Sequence, residues 1–314
     1  MATPAPKPNT LVAILSKLGA VFCFMAMATL IKIASVRVPP GETVFFRSFF
    51  GLPIILGWIA LRGELRTGLK TDNPQGHFWR GLVGVTAMSM GFAALGLLPL
   101  SEVKAIQYAQ PVLVVIFAAM FLGERVRAFR LTAVALGMVG VLIIMSPRLT
   151  VFSDGAGDPY LAIGALLAFG SAILAGLAHV FVRKLTMTEP TSAIVFWFSV
   201  TASCLSILTL PFGWVWPTGP EAAALIGAGL FGGIGQIFLT SSYRYADASV
   251  VAPFEYFSIV LALAIGYFVF SEVPTAVMLV GIALIVCAGI LIIWREGKLG
   301  KERKQARKAM TPQG

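Results

Sequence analysis

About ten apolar segments, each near the roughly 20 residues that a helix needs to cross a bilayer, follow one another along the whole chain. With 58% hydrophobic residues, 12% charged residues and a mean hydropathy of +0.87 over 314 residues, the chain is far more apolar than a soluble domain. Short polar turns separate the segments. We therefore predict an all-α integral membrane protein with about ten transmembrane helices, near residues 11–36, 43–61, 78–98, 103–122, 128–146, 160–182, 191–212, 221–243, 249–270 and 274–294.

Two stretches, 101–144 and 249–293, read as copies of one helical hairpin. They align without gaps as far as Glu124 and Glu272, yet the turn at 124–130 carries three arginines and the turn at 271–276 carries no cation. Short loops rich in Lys and Arg stay on the cytoplasmic side of a membrane, so the equivalent turns face opposite sides. This predicts two inverted five-helix repeats, 1–148 and 149–296, followed by a basic cytoplasmic tail at 297–314.

The positive charges also predict the orientation. With the N-terminus in the cytoplasm, 19 of the 24 Lys and Arg residues, Lys17 and Arg80 among them, fall on the cytoplasmic side. Lys32, Arg47 and Lys104 are among the five on or near the outer side. An even number of spans then places both termini in the cytoplasm. The net charge of +10 is explained by topology, and nothing beyond charge supports nucleic-acid binding.

Three sequence motifs resemble those of a known family. They are Phe-Phe-Arg-Ser-Phe-Phe at 45–50, Pro111 followed by Leu-Gly-Glu at 122–124, and the run from Tyr243 to Phe257 that is followed by Phe-Ser-Glu at 270–272. Together they resemble drug/metabolite transporters with paired EamA-type domains, in particular the subgroup that includes bacterial uptake carriers for riboflavin and for S-adenosylmethionine. The resemblance implies a secondary transporter of the bacterial cytoplasmic (inner) membrane. Ile259 stands where the family has a proline, and Pro253 lies earlier.

Ionisable groups inside a span are functional-site hypotheses, because burying a charge at the bilayer centre costs at least about 2.5–3.5 kcal/mol. Glu255, interpreted as lying some six residues into the ninth span next to Tyr256, is the leading candidate. Its repeat equivalents are Gln107 and Tyr108, which would approach a central site from the opposite side. For Glu255, ligand contact or proton coupling and pairing with a structural cation such as Arg47 or Lys32 remain alternatives.

Four further polar or aromatic residues are candidates for substrate binding or coupling. Arg47 either takes part in substrate binding or coupling or has a structural role. In the structural role it snorkels to the membrane interface or forms a salt bridge with Glu42 or Glu102. Gln110 and Gln236 either bind a ligand or join helices by hydrogen bonds. Tyr243 either stacks on a flat heteroaromatic ligand or belongs to an interfacial aromatic belt.

The remaining patterns favour a carrier over an enzyme or a channel. The chain has no Walker motif, no cluster of acid/base residues, no filter-like loop and no metal-binding spacing among its two histidines and three cysteines. The glycine-rich run 229–235 indicates close helix packing rather than a dinucleotide loop, and Pro53, Pro111 and Pro253 are expected to interrupt helices.

We accordingly predict a non-enzymatic secondary transporter without a cofactor that moves a small molecule by alternating access. Riboflavin uptake is the leading hypothesis. S-adenosylmethionine uptake and the efflux of amino acids or other metabolites are the alternatives. Protons are the candidate coupling ion, and the lipid bilayer and a small-molecule substrate are the expected partners.

Overall fold

The computed structural model describes residues 10–122, 128–149, 158–245, 254–255, 257–288, 290–291 and 294. Within these ranges the chain is helical and has no strand. Five helices are each long and apolar enough to cross a membrane, and four shorter apolar helices accompany them. The predicted all-α integral membrane fold is therefore confirmed. We number the helices α1 (Thr10–Ala34), α2 (Pro40–Leu61), α3 (Pro74–Leu97), α4 (100–122), α5 (Ala128–Leu149), α6 (Pro159–Thr186), α7 (Thr191–Ile207), α8 (Gly219–Tyr245), α9 (Phe257–Phe270) and α10 (Ala276–Ala288).

Two helices, α2 and α4, are interrupted. α2 consists of Pro40–Phe49 and Gly51–Leu61, and α4 consists of Leu100–Gln107 and Ala109–Leu122. The breaks fall at Phe50 and Tyr108, each three residues before a proline, Pro53 or Pro111. Proline lacks the N–H of the helical ladder and its ring collides with the carbonyl one turn earlier, which places the break on its N-terminal side. The interruptions predicted at Pro53 and Pro111 are confirmed, and Pro253 lies outside the described residues.

The inverted repeat is visible in the way the helices pack. The two most extensive interfaces join α1 to α8 and α3 to α6. Exchanging the halves converts α1 into α6 and α8 into α3, so the repeat symmetry maps one interface onto the other. The smaller contacts of α2 with α7 and of α4 with α9 each map onto themselves. The fold is thus two five-helix repeats of opposite sense joined across a shared core.

Glycines on α8 bring this helix very close to α2. A Cβ atom on Gly233 would lie 2.9 Å from the carbonyl oxygen of Gly51, and one on Gly229 would lie 2.5 Å from the Cβ of Phe50. The break in α2 therefore lies directly against the glycines of α8. The predicted role of Gly229 and Gly233 in close helix packing is confirmed.

The segment before α9 places Glu255 in a turn rather than inside a helix. The apolar run predicted a span beginning near 249, with Glu255 about six residues inside it. The structure begins α9 at Phe257, and residues 254 and 255 belong to a 3-10 turn. Glu255 therefore lies beside the helix start. Residues 246–253 and 256 lie outside the described residues, so the predicted span start near 249 stays a prediction.

Candidate substrate cavity

A cavity of about 180 Å³ lies between the two halves and is lined by side chains of α1, α2, α3, α4, α6, α7 and α8. Apolar and aromatic side chains, among them Phe24, Met27 and Phe198, form much of its wall. Three basic residues, Arg47, Arg80 and Lys104, reach it from the first half. None of the described residues that line it is acidic. The neutral polar groups around it are Gln107, Ser171, His179 and Gln236.

Arg47 points into this cavity from α2 and is 2% exposed. Its Nη2 lies 3.4 Å from the carbonyl oxygen of Gly232 and 3.5 Å from Oε1 of Gln236, both on α8. The predicted alternatives of snorkelling or of pairing with Glu42 or Glu102 are therefore wrong. The close approach of α8 to α2 brings a carbonyl and an amide within reach of the guanidinium, which keeps it inside the bundle.

Arg80 is the second buried guanidinium, and the sequence analysis missed it. It lies on α3, 4% exposed, and its Cζ is 3.5 Å from the centre of the Phe198 ring on α7. The Cζ of Arg47 lies 5.6 Å from the centre of the same ring. Sequence reasoning counts Arg80 only as a topology charge. Its place inside the predicted span 78–98 was the available signal, since the same rule selects Arg47.

Lys104 begins a chain of hydrogen bonds that crosses from α4 to α6 and α3. Its Nζ donates to Oε1 of Gln107 at 3.4 Å, and Nε2 of Gln107 donates to Oγ of Ser171 at 3.2 Å. Ser171 in turn donates to the carbonyl oxygen of Ala87 at 2.8 Å. Lys104 thus belongs to the cavity wall, whereas the sequence placed it near the outer surface.

A second polar group, which we call the Lys17 cluster, consists of Lys17, Gln110, His179, Tyr243 and Glu255. The Nζ of Lys17 is ion-paired with Glu255 and lies 5.9 Å from the centre of the Tyr243 ring. Nδ1 of His179 is 2.8 Å from Nε2 of Gln110 and 3.3 Å from the Tyr243 hydroxyl. His179 also lines the cavity, so it connects the cavity to the cluster.

The partner of Glu255 corrects the sequence analysis, in which Arg47 and Lys32 are the candidate cations. Arg47 is held by α8, and Lys32 pairs instead with Glu272, with Nζ and Oε1 3.3 Å apart. The Nζ of Lys32 also donates to the carbonyl oxygen of Leu98 at 2.8 Å. Lys17 lies on α1, 15 residues before Lys32, which is about 22 Å along a helix. α1 therefore carries one ion pair toward each of its ends, and each joins it to a residue flanking α9.

The eight candidate residues separate into distinct places. Tyr108 lies at the α4 break, where its hydroxyl is hydrogen-bonded to Oγ of Ser258 on α9. Tyr256 lies outside the described residues. Among the residues that the structure describes, no three His, Cys, Asp or Glu side chains are grouped to hold a metal ion. Of the others, Arg47, Gln107 and Gln236 line the cavity, and Gln110, Tyr243 and Glu255 belong to the Lys17 cluster.

Inverted helical repeats around a polar cavity define a membrane transporter rather than an enzyme. The comparison with known families agrees: the EamA-like transporter family matches residues 11–146 and 162–294. The chain belongs to this family, within the drug/metabolite transporter superfamily.

Several curated relatives cover most of the chain. It is 32% identical to the pseudopaline exporter of Pseudomonas aeruginosa, over 91% of this chain and 96% of that protein. It is 30% identical to the riboflavin transporter of Rhizobium johnstonii, over 92% of this chain and 91% of that protein. It is 27% identical to an S-adenosylmethionine uptake transporter of Rickettsia felis, over 85% of this chain and 87% of that protein. A solved crystal structure of a protein 23% identical in sequence superposes with a TM-score of 0.66. The match covers 91% of this chain and 98% of that chain, which supports the fold.

Proposed function

We propose that this chain is a secondary carrier of the bacterial cytoplasmic membrane that moves a small metabolite by alternating access, with both termini in the cytoplasm. The observation that carries the proposal is the position of the cavity along α1. Phe24 and Met27 of α1 line it, and they lie between Lys17 and Lys32, the two residues that pair with groups flanking α9.

The two ion pairs suggest how access alternates. We propose that the cavity opens at one end of α1 by separation of α1 from α9 there, a movement that would break Lys17–Glu255 or Lys32–Glu272. In this structure both pairs are formed. Because the halves are inverted copies, exchanging their conformations converts an opening at one end into an opening at the other. Protons remain the candidate coupling ion, with the Glu255 carboxylate as the group that would carry them.

Riboflavin uptake is the first substrate hypothesis, supported by the resemblance and by a relative named as a riboflavin transporter. The aromatic side chains of Phe24 and Phe198 line the cavity, and an aromatic wall suits a flat heteroaromatic ligand. S-adenosylmethionine uptake and metabolite efflux are the alternatives, and relatives of comparable similarity carry such names.

Counterflow in proteoliposomes tests this proposal. Vesicles containing the purified protein are loaded with unlabelled riboflavin or S-adenosylmethionine, and entry of the labelled compound is followed. A carrier gives saturable flux that the loaded compound accelerates, whereas linear flux without acceleration indicates a channel and would contradict alternating access. If counterflow is absent with riboflavin but present with S-adenosylmethionine, riboflavin is removed from the candidate substrates.

Proton coupling is tested on the same vesicles with an imposed pH gradient. We expect Glu255→Gln to reduce gradient-driven flux or its dependence on pH. Glu64→Gln, in the loop after α2, is the control and is expected to transport like the unmodified protein. If Glu255→Gln transports like the unmodified protein at every pH, Glu255 has a structural role only.

A further inference from the structure

The charges around the cavity are unbalanced. Arg47, Arg80 and Lys104 line it, and no acidic side chain does so among the described residues. The carboxylate of the adjacent Lys17 cluster, Glu255, is paired with Lys17. A cation removed from water without a counter-charge is strongly unfavourable, so the cavity is electrostatically suited to bind an anion.

Both guanidinium groups carry N–H donors that make no hydrogen bond within the described part of the chain. Nε and Nη1 of Arg80 and Nε of Arg47 are buried and have no hydrogen-bond partner within the described part of the chain. The contacts that Arg47 does make, at 3.4 and 3.5 Å, are long for charged hydrogen bonds. A guanidinium fork matches the paired oxygens of a carboxylate or a phosphate. The unused donors therefore favour a ligand with a carboxylate or a phosphate.

The packing makes room for these two side chains. A Cβ atom on Gly84 would lie 2.7 Å from Nη1 of Arg80, and one on Gly232 would lie 2.8 Å from Nε of Arg47. The ring of Phe198 lies within 6 Å of both guanidinium carbons. Glycines on two helices and one aromatic ring thus hold both cations at one place in the wall.

From these observations we propose that Arg47 and Arg80 form an anion subsite, and that the carried substrate is an organic anion whose carboxylate or phosphate binds there beside Phe198. The inference rests on the proposed carrier function and narrows its substrate class. It ranks a phosphorylated or carboxylated metabolite above a neutral one of the same shape. Gln236, which accepts from Arg47 and has an unpartnered buried Nε2, lies at the edge of the subsite.

Matched pairs of probes test the proposal without any need for transport. Benzoate and benzamide share a shape and differ in charge, and a cavity of about 150 Å³ is known to hold benzene. Riboflavin 5′-phosphate and riboflavin form a larger pair. Each probe is added to the purified protein in neutral detergent, and the apparent affinity is taken from the rise in thermal midpoint with concentration. We expect the anionic member of each pair to bind at least about tenfold more tightly.

Variants locate the site. Arg80→Gln and Arg47→Gln are expected to lose roughly tenfold or more of the affinity for benzoate, with little change for benzamide. Arg62→Gln is the matched control, because Arg62 also lies over an aromatic ring, with Cζ 4.7 Å from the centre of Trp58, but outside the cavity. If a Gln variant does not fold, Arg80→Lys retains the charge without the fork and is expected to weaken benzoate binding to an intermediate extent.

Three results would overturn the anion subsite: equal binding of the neutral and anionic probes, no binding of any anionic probe, or unchanged benzoate affinity in both Gln variants. Stronger binding of a short-chain anionic lipid than of the soluble anions would likewise contradict a metabolite site. Because these measurements do not depend on flux, a protein that binds an anionic probe but shows no counterflow of that same probe would contradict the carrier and leave the subsite standing.

Discussion

At the scale of single residues, the cavity depends on glycine positions, which leave space, as well as on its buried cations. Arg80 is buried against Phe198, and the cation–π contact offsets part of the cost of burying its charge. The same position needs space, which Gly84 provides one helical turn further along α3. A glycine in the middle of a membrane helix is thus part of the site.

The first prediction concerns Gly84→Ala. The added Cβ would lie 2.7 Å from Nη1 of Arg80 and 2.8 Å from the Phe198 ring, so both groups must move. Displacing binding groups by about 1 Å can cost up to a hundredfold in function, and we expect roughly a tenfold loss of substrate flux. Gly57→Ala is the control, since a methyl group added at Gly57 would have nothing within 4 Å of it. Equal flux from both variants would contradict the role given to Gly84.

At the scale of helices, α2 and α8 are held together through backbone contact. A Cβ on Gly233 would lie 2.9 Å from the carbonyl oxygen of Gly51 and 3.1 Å from its Cα. Backbone atoms cannot rotate away as a flexible side chain can. The crossing therefore fixes the distance between the helices that carry Arg47 and Gln236.

We therefore predict that Gly233→Ala destabilises the protein more than Gly57→Ala does. Overpacking of this kind typically costs about 1–3 kcal/mol, because the helices must separate to accept one methyl group. The thermal midpoint of the purified protein in detergent measures the effect. A midpoint for Gly233→Ala as high as that of Gly57→Ala would show that the two helices yield easily at this point.

The ion pair between α1 and the start of α9 gives a second prediction at this scale. Lys17→Met leaves the Glu255 carboxylate without its cation, and breaking a buried pair in this way costs on the order of 3 kcal/mol. The double variant Lys17→Met/Glu255→Gln removes both charges and should recover much of that loss. Thermal midpoints of the single and double variants form a complete cycle. Additive losses would mean that the two charges do not stabilise each other.

At the scale of the whole molecule, the sequence predicted the architecture better than the site. Span length and the repeat are one-dimensional signals, so the inverted helical bundle could be inferred from hydropathy and turn charges. The partner of Glu255 could not be, because Lys17 meets it only after α1 packs beside α9. Arg80 and Lys104 were assigned to the two membrane faces by loop-counting rules that do not report how deeply a side chain lies.

The orientation of the whole bundle yields the last prediction. The turns predicted from the sequence at 124–130 and 271–276 are equivalent in the two repeats, so inverted insertion places them on opposite sides of the membrane. Cys23, Cys204 and Cys287 are first replaced by Ser. A single cysteine is then introduced in place of Arg127 or of Val273. The side chain of Val273 is 76% exposed. In intact cells we expect a membrane-impermeant maleimide to label Val273→Cys, and to label Arg127→Cys only after permeabilisation. Labelling of both from the same side would exclude inverted repeats, and alternating access by their exchange would then have no structural basis.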